Sequence, residues 1–302
     1  MPAGKRRRQE LDERLQSQIG EEERFWDLMR RMARQNKTAV FSFAVIVLTI
    51  LAALFAPLLT PYDENGMDLL HRLAAPSAEH LLGTDEGGRD VLTRLLYGGR
   101  VSLLIGVAPA LLSLILGAAL GVTAGYRGGI CDTVIMRAAD VTLAFPSMLL
   151  AMVIMYALGG GLLNVFLTLT LVNWAQVARV VRARTLQLKE SGFAEAARVI
   201  GVRRGRIIWR HILPNCLPTL LVMFTLNIPT AILTESSLSF LGLGIQPPNA
   251  SWGLMINTGR QYLYNAPHLC FAPGAAIMLI VLAFNFLGNG LVDVLDPRQK
   301  KQ

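Results

Sequence analysis

The sequence has few charged residues for its length. Of its 302 residues, 17% are charged and 53% are hydrophobic, and the mean hydropathy is +0.44. Soluble domains carry about 25% charged residues, so this composition argues against an ordinary soluble protein and indicates a membrane protein. The cysteines Cys131, Cys216 and Cys270 stand far apart. Their isolation indicates neither a disulfide framework nor a cysteine-based zinc site.

The motifs of common catalytic sites are also missing. There is no GxxxxGK[ST] phosphate loop, so we expect the chain not to bind ATP by that mechanism. Neither GxSxG nor HExxH occurs, and the glycines at 242 and 244 lack the rest of a dinucleotide fingerprint. The histidines are scattered, at His71, His80, His211 and His268. We therefore expect no catalytic residue, no metal site and no cofactor in this chain.

What the sequence does contain is apolar segments of membrane-spanning length. A helix needs about 20 apolar residues to cross a hydrocarbon core of about 30 Å. Because lipid offers the backbone no hydrogen-bond partner, runs of this length predict helices. We predict an all-α, polytopic membrane protein with six transmembrane helices, near residues 39–59, 101–124, 138–158, 162–178, 216–235 and 269–291.

The lysines and arginines orient these helices, because cytoplasmic loops carry more of them than outer loops do. Ten precede the first predicted span, nine lie between the fourth and fifth spans, and three follow the last span. The loop after the fifth span holds only Arg260. This distribution predicts that both termini are cytoplasmic, together with the basic loop between spans four and five.

The second predicted span contains two overlapping GxxxG steps, made by Gly117, Gly121 and Gly125. Small residues at this spacing let another helix backbone approach closely. We expect this face to pack against another span, either of this chain or of a partner subunit.

Local charge and turn patterns precede that span. Thr84 or Asp85 is predicted to cap a helix that leads into the membrane. Asp90 and Arg94 stand four residues apart, a spacing at which opposite charges pair on a helix face. The sequence therefore predicts an ordered helix at the outer surface.

Three charged residues lie in or near the predicted spans. Arg137 and Asp140 are three residues apart and are expected to pair with each other. Glu235 lies near the outer end of the fifth span. Ionisable groups in membrane segments are costly and often functional, so Glu235 is a candidate for the translocation path. The alternative is a structural hydrogen bond or a carboxylate that reaches the interface.

A basic stretch, FAEAARVIGVRRGRIIWRHILPN, occupies residues 193–215 between spans four and five. Its residue types and spacing resemble the EAA loop of ABC importer permeases, with His211 standing where the family pattern has isoleucine. The matching positions are Glu195, Ala196, Ala197, Gly201, Leu213 and Pro214.

Other segments resemble one branch of that family, the dipeptide/oligopeptide/nickel permeases. They are LGTDEGGRD, MRAADVTLAFPSMLLA, SLSFLGLGIQPPNASWG and FNFLGNGLVDVLDPR. In the last of these, Asn289 stands where the branch usually has aspartate. The resemblance covers roughly residues 26–298.

The resemblance implies a type I ABC importer transmembrane domain whose EAA segment docks on an ATPase. Glu195 would pair with a cation of the ATPase, and two alanines would keep one helix face thin for close approach. A glycine would permit the turn, and a proline would break the chain before the fifth span, so that docking tilts that span. The residues implied in coupling are Glu195, Ala196, Ala197, Arg198, Gly201, Arg203, Leu213 and Pro214.

The implied organisation has four parts. Residues 1–38 are a cytoplasmic tail with an interfacial amphipathic helix, in which Phe25, Leu28 and Met29 follow helical spacing. Residues 39–99 hold the first span and a long periplasmic loop. Residues 100–293 are the core domain, with the coupling loop at 185–215, and 294–302 are a second cytoplasmic tail. The expected location is the bacterial inner (plasma) membrane.

The resemblance also implies the partners. These are a second homologous permease subunit, two ATP-binding subunits that bind and hydrolyse the ATP, an extracytoplasmic solute-binding protein and membrane lipid. The implied cargo is peptide-like, while nickel, glutathione and opines stay open as alternatives.

Two other classes of protein compete with this interpretation. A DNA-binding helix-turn-helix would also be basic with a glycine turn, but this loop is tethered by a span at each end, so we expect no nucleic-acid partner. An ATP-independent secondary transporter would need coupling-ion groups near the membrane midplane, and the spans contain few.

Overall fold

The fold is built from helices. The computed structural model describes residues 36–199 and 201–295, and within these ranges the regular elements are helical, apart from one isolated bridge between Thr84 and Asp90. The predicted all-α class is therefore confirmed. The predicted amphipathic helix of the first tail and most of the second tail lie outside the described residues.

The described α-helices are α1 (Lys37–Leu54), α2 (Ala56–Leu59), α3 (Val91–Arg127), α4 (Gly129–Ala144), α5 (Ser147–Leu158), α6 (Leu162–Lys189), α7 (Gly192–Val199), α8 (Arg204–Ile207), α9 (Leu213–Phe240), α10 (Trp252–Gly259) and α11 (His268–Leu295). Short 3₁₀ segments lie at Leu69–His71 and Arg260–Tyr262, and a π-helical segment lies at Ile208–Ile212.

Within the described residues, four helical stretches are long and apolar enough to cross a membrane, and α4 with α5 qualifies as a fifth span if the two are taken together. α6 contains the predicted span at 162–178 but is not among these stretches, so that span stays a prediction. The four are Lys37–Leu54, Val91–Arg127, Arg204–Phe240 and His268–Val294.

The predicted span at 138–158 is two helices joined by a sharp bend. α4 and α5 meet at an angle of 95°. Phe145, which follows α4, has an extended backbone conformation, with φ −91° and ψ 141°. The next residue is Pro146, and the ring of a proline disfavours helical geometry in the residue before it. The helix therefore ends at Ala144 and starts again at Ser147 in a new direction.

The glycine face of α3 packs against the backbone of α6. A Cβ atom at Gly117 would lie 2.7 Å from the carbonyl oxygen of Trp174, and one at Gly121 would lie 2.5 Å from that of Ala178. At Gly125, a Cβ would lie 2.9 Å from the Arg182 oxygen. The predicted close packing is therefore made within this chain, between α3 and α6.

Polar side chains fix both ends of α1. Asn36 caps its first turn and donates from Nδ2 to Asp293 Oδ2 in α11 (3.3 Å). At the other end, the Arg100 guanidinium of α3 donates to the carbonyl oxygens of Ala53 (2.7 Å) and Leu54 (2.9 Å). The last carbonyls of a helix have no partner within it, so Arg100 supplies one and holds α1 against α3.

The loop that precedes α3 differs in detail from its prediction. The helix cap is Asp90, whose Oδ1 accepts a hydrogen bond from the Thr93 amide (2.7 Å), and the predicted caps Thr84 and Asp85 precede it in the loop. Arg94 pairs with Asp85, with its Nε 3.4 Å from Oδ2, instead of the predicted Asp90. Because the Asp90 carboxylate caps the helix, Arg94 pairs with Asp85 in the loop instead.

We predict that Gly121→Ala destabilises the folded chain by about 1–3 kcal/mol, the usual cost of overpacking a close contact. The added Cβ would lie 2.5 Å from a backbone oxygen, and a backbone cannot turn aside as a side chain can. Thermal unfolding of the detergent-solubilised protein measures the effect. Gly274→Ala is the matched control, since a Cβ there meets no heavy atom within 4 Å. Equal midpoints for the two variants would contradict the prediction.

Candidate functional site

The predicted coupling segment forms a short helix, α7, that begins directly after α6. The carbonyl oxygen of Ser191 accepts hydrogen bonds from the amides of Ala194 (3.0 Å) and Glu195 (3.1 Å). The Ser191 hydroxyl donates to the carbonyl oxygen of Leu188, in the last turn of α6, at 2.5 Å. One residue thus closes α6 and opens α7, so the start of α7 is fixed to the end of α6.

α7 ends in a turn that requires glycine. Gly201 has φ +78°, and the Val202 amide donates to the carbonyl oxygen of Ala197 at 3.0 Å. This is the six-to-one bond of a Schellman cap. A Cβ at Gly201 would meet no heavy atom within 4 Å, so backbone conformation, not space, selects glycine. A side chain in the left-handed region costs about 1–2 kcal/mol. Gly201 lies in the expected turn, and its role in coupling stays a prediction.

The two faces of α7 have different surroundings. Ala194 and Ala197 are buried, whereas Glu195 is exposed and Val199 is 82% exposed. Ala197 therefore packs inside the chain, and its predicted role in coupling stays a prediction. Ala197 belongs to an apolar cluster with residues of α3, α6 and the segment that leads into α9: Val122, Val177, Val181, Ile207, Ile212, Cys216 and Leu220.

The other predicted coupling residues divide between surface and core. Arg203 and Pro214 are exposed, and Leu213 is half-buried against the cluster that contains Ala197. Ala196 and Arg198 belong to α7, and the predicted roles of their side chains lie outside the described part of the chain.

Pro214 does not break the chain before the fifth span, as the sequence predicted. The stretch Arg204–Phe240 is one helix of 37 residues, and the turn before the proline has widened into the π-helical segment Ile208–Ile212. The Leu213 amide donates to the carbonyl oxygen of Ile208, five residues back. Proline has no amide hydrogen to donate, and a π turn is a local irregularity that a continuous helix tolerates.

Ion pairs join α4 to α6 beside this segment. Arg182 of α6 makes two bonds to the Asp132 carboxylate, at 2.5 and 2.6 Å. Arg179 lies 2.8 Å from Asp140. The predicted pair of Arg137 with Asp140 is present at 3.7 Å, but Arg179 is the nearer partner. An arginine that makes two bonds to one carboxylate is held in a defined orientation. The Arg182–Asp132 pair therefore fixes α6 against α4 near α7.

At the other end of α9, Glu235 is fully buried, with 0% of its surface exposed. Its Oε1 accepts hydrogen bonds from the hydroxyls of Ser239 (2.7 Å) and Ser251 (2.9 Å). The sequence predicted a role for Glu235 in the path, with a structural hydrogen bond as the alternative. The structure contains the hydrogen bonds of that alternative.

Sequence reasoning missed a row of hydroxyl groups on the opposite face of α9. Thr230 and Ser237 are exposed and Thr234 is half-buried. Each hydroxyl donates to the carbonyl oxygen four residues earlier, at 3.4, 2.8 and 2.8 Å for Thr230, Thr234 and Ser237. The oxygen lone pairs therefore remain available to a neighbour. The signal was present in the spacing i, i+4, i+7, which places residues on one helical face.

A histidine–aspartate pair stabilises the loop before α3. Asp68 caps the 3₁₀ segment Leu69–His71, and its Oδ2 lies 2.7 Å from His71 Nδ1. This hydrogen bond raises the pKa of the His71 imidazole and lowers the pKa of the Asp68 carboxyl. The pH window in which both partners are charged together is therefore wider than it would be for the two isolated groups.

Residues 117–301 match the family model described as the binding-protein-dependent transport system inner membrane component. The chain is an ABC importer permease of this family. Residues 24–76 match a second family model, the N-terminal transmembrane domain of oligopeptide transport permease C. Helices α7 and α9 fall within the first match, and α1 falls within the second.

Relatives from several bacteria span nearly the same length. The chain is 44% identical to the dipeptide transport system permease protein DppC of Alkalihalophilus pseudofirmus, covering 91% of this chain and 90% of that protein. It is 42% identical to the oligopeptide transport system permease protein OppC of Bacillus subtilis, with the same coverage of 91% and 90%. It is 43% identical to the glutathione transport system permease protein GsiD of Pectobacterium atrosepticum, covering 91% of each.

Solved structures support the fold. A crystal form of the MetNI methionine ABC transporter in inward-facing conformations aligns with a TM-score of 0.52, covering 67% of this chain and 97% of that chain. The sequence identity is 18%, so this likeness concerns the fold alone. A permease with this fold and these relatives is a membrane-embedded part of an ATP-driven importer.

Proposed function

We propose that this permease forms the path of a peptide importer together with a second homologous permease subunit. Two separate ATP-binding subunits would hydrolyse the ATP, and an extracytoplasmic solute-binding protein would deliver the cargo. The observation that carries the proposal is α7, a short helix with an exposed face between two long helices, followed by the glycine turn at Gly201. The chain itself would be non-catalytic.

The proposed cargo rests on the relatives. Their names refer to dipeptides, oligopeptides and glutathione. Glutathione is itself a tripeptide, so all three cargoes share amide bonds between a free amine and a free carboxylate. This common chemistry favours a peptide over nickel or an opine as the cargo of this permease.

The proposed orientation places α7 and both termini in the cytoplasm. The connection from α7 to α9 exposes Arg203, Arg204 and Arg206, and cytoplasmic loops are enriched in such residues. The same cations suit a position beside the anionic inner leaflet, where each contributes about 1 kcal/mol of attraction. The loop that precedes α3 would then lie on the outer side.

The packing of α7 supports a route for mechanical coupling. Ala197 contacts the cluster that contains Ile207, Ile212 and Cys216, and these residues lead without interruption into α9. A displacement of α7 by a closing ATPase would therefore move the inner end of α9. Close-packed interfaces move between discrete arrangements instead of deforming smoothly, which suits a switch between outward-facing and inward-facing states.

The proposed path runs along the hydroxyl row of α9. Thr230, Thr234 and Ser237 present oxygen acceptors along one face of α9. A peptide in transit needs polar partners for its amides and its ammonium group, because burying them without a hydrogen bond costs several kcal/mol. Glu235 stays a predicted member of the path region. Its burial indicates that it acts through Ser239 and Ser251 instead of touching the solute.

We predict that the tagged permease, expressed with the genes that adjoin its own, purifies together with ATP-binding subunits. In proteoliposomes the complex should accumulate radiolabelled tri-alanine when ATP and the binding protein are supplied. Radiolabelled nickel and glutathione serve as parallel probes. Accumulation of nickel alone would overturn the peptide assignment, and uptake by the permease without any ATPase would overturn the importer mechanism.

We predict that Glu195→Lys uncouples transport, because it reverses the charge on the exposed face of α7 while leaving the buried face intact. Tri-alanine uptake should fall by about tenfold, corresponding to the loss of roughly 1.4 kcal/mol of a charge-assisted contact. Size-exclusion profiles should be unchanged. Glu190→Lys makes the same charge change at an exposed residue outside α7. An equal loss in this control would show that the effect is not specific to α7.

We predict that the double variant Thr230→Val, Thr234→Val lowers tri-alanine uptake by about thirtyfold, since each of the two lost hydrogen bonds is worth about 1 kcal/mol. Valine keeps the shape of threonine and removes only the hydroxyl. Thr49→Val is the matched control, because Thr49 makes the same i−4 bond (2.8 Å) on α1. Full uptake by the double variant would remove α9 from the path.

A further inference from the structure

Three buried polar side chains meet where α9 is packed against α10. Glu235 Oε1 accepts from Ser239 Oγ at 2.7 Å and from Ser251 Oγ at 2.9 Å. All three residues have 0% of their surface exposed. Ser239 lies in the last turn of α9, and Ser251 caps α10. We name this group the Glu235 cluster, defined by Glu235, Ser239 and Ser251.

The carboxylate orients both hydroxyls. A serine hydroxyl has one hydrogen, and in each serine that hydrogen points to Glu235. The lone pairs are then left to accept hydrogen bonds, from the Ile245 amide to Ser239 Oγ and from the Leu254 amide to Ser251 Oγ, each at 3.1 Å. Glu235 thereby fixes the loop after α9 and the first turn of α10 at the same time.

Further contacts hold α10 to the end of α9. A Cβ at Gly253 would lie 2.6 Å from the Cα of Ser236, so the two backbones are nearly in contact. Asn257 Nδ2 donates to the carbonyl oxygens of Ser239 (2.5 Å) and Phe240 (3.1 Å). The last carbonyls of α9 thus find their partner on α10, and the helices form one unit at this end.

The Glu235 cluster faces away from the hydroxyl row. Residues in a helix advance about 100° each, so Glu235 and Ser237 point in directions about 160° apart, measured the shorter way round. A side chain on the buried face cannot contact a solute that lies against Thr230 and Ser237 unless the helix turns. Both partners of Glu235 are uncharged hydroxyls, so an amide oxygen can accept the same two bonds.

We propose that Glu235 is a positioning residue that locks α10 onto the outer end of α9 and so sets the shape of the outer mouth of the path. The consequence of this role for transport rests on the proposed function. The locking itself does not, because it is a property of the Glu235 cluster in the folded chain.

The experiment compares Glu235→Gln and Glu235→Leu in the complete importer complex. Hydrogen–deuterium exchange reads the order of α10 directly. Exchange at the Leu254 amide should be about tenfold faster in Glu235→Leu, because a misoriented Ser251 no longer caps the helix. It should be unchanged in Glu235→Gln. Glu190→Leu makes the same substitution at an exposed position, and it should also leave exchange at the Leu254 amide unchanged.

Transport kinetics separate positioning from contact with the solute. In Glu235→Leu the maximal rate of tri-alanine uptake should fall by about tenfold, while the half-saturating concentration of peptide-loaded binding protein stays the same. Glu235→Gln should restore the rate. An equal loss in Glu235→Gln would show that the charge itself is used and would overturn the proposal. Unchanged exchange at Leu254 in Glu235→Leu would overturn it as well.

A second variant covers the case in which Glu235→Leu does not assemble. Ser251→Ala keeps the carboxylate and removes one arm of the cluster, so exchange at Leu254 should again be faster and uptake slower. Normal exchange in Ser251→Ala would contradict the proposal. If the unmodified complex transports no peptide, the proposed cargo fails, and the exchange data still decide whether Glu235 positions α10.

Discussion

The close contact between α3 and α6 is the interaction on which the rest of the structure depends. Helices in lipid gain little from burying apolar surface against one another, so they associate through tight packing. Gly117, Gly121 and Gly125 bring the α3 backbone onto the carbonyls of α6. α7 is fixed to the end of α6 through Ser191. The position of α7 is therefore set by this contact.

The extent to which the sequence predicted the structure differs between local and distant interactions. The glycine spacing on α3 and the glycine turn at Gly201 are properties of one helix or one turn, and both are present as expected. Charge partners were predicted less well. The rule for residues three or four apart concerns a single helix, whereas Arg179 reaches Asp140 across 39 positions and Arg182 reaches Asp132 across 50.

The surroundings of Ala197 and Pro214 were decided by the wider packing of the chain. The small side chain of Ala197 indicated a close approach by another surface but did not identify that surface. In the structure, the apolar cluster of this chain packs against it. Pro214 was expected to break the chain before the fifth span. Proline removes only one amide donor, and flanking turns that are held by packing can absorb the loss as a π segment. Neither the cluster nor the flanking turns can be read from the local sequence.

The 37-residue stretch from Arg204 to Phe240 is bound at both ends and weakened between them. Its N-terminal end packs in the cluster with Ala197, and its C-terminal end is tied to α10 by the Glu235 cluster. Pro229 lies between these attachments, and it leaves the carbonyl oxygen four residues earlier without its helical donor. Bending is easiest where backbone bonds are missing. In the proposed mechanism the N-terminal end therefore follows α7 while the C-terminal end stays with α10, and the helix bends near Pro229. Thr230, Thr234 and Ser237 begin just beyond Pro229, so the proposed hydroxyl row belongs to the held end, and opening at the cytoplasmic side need not disturb it.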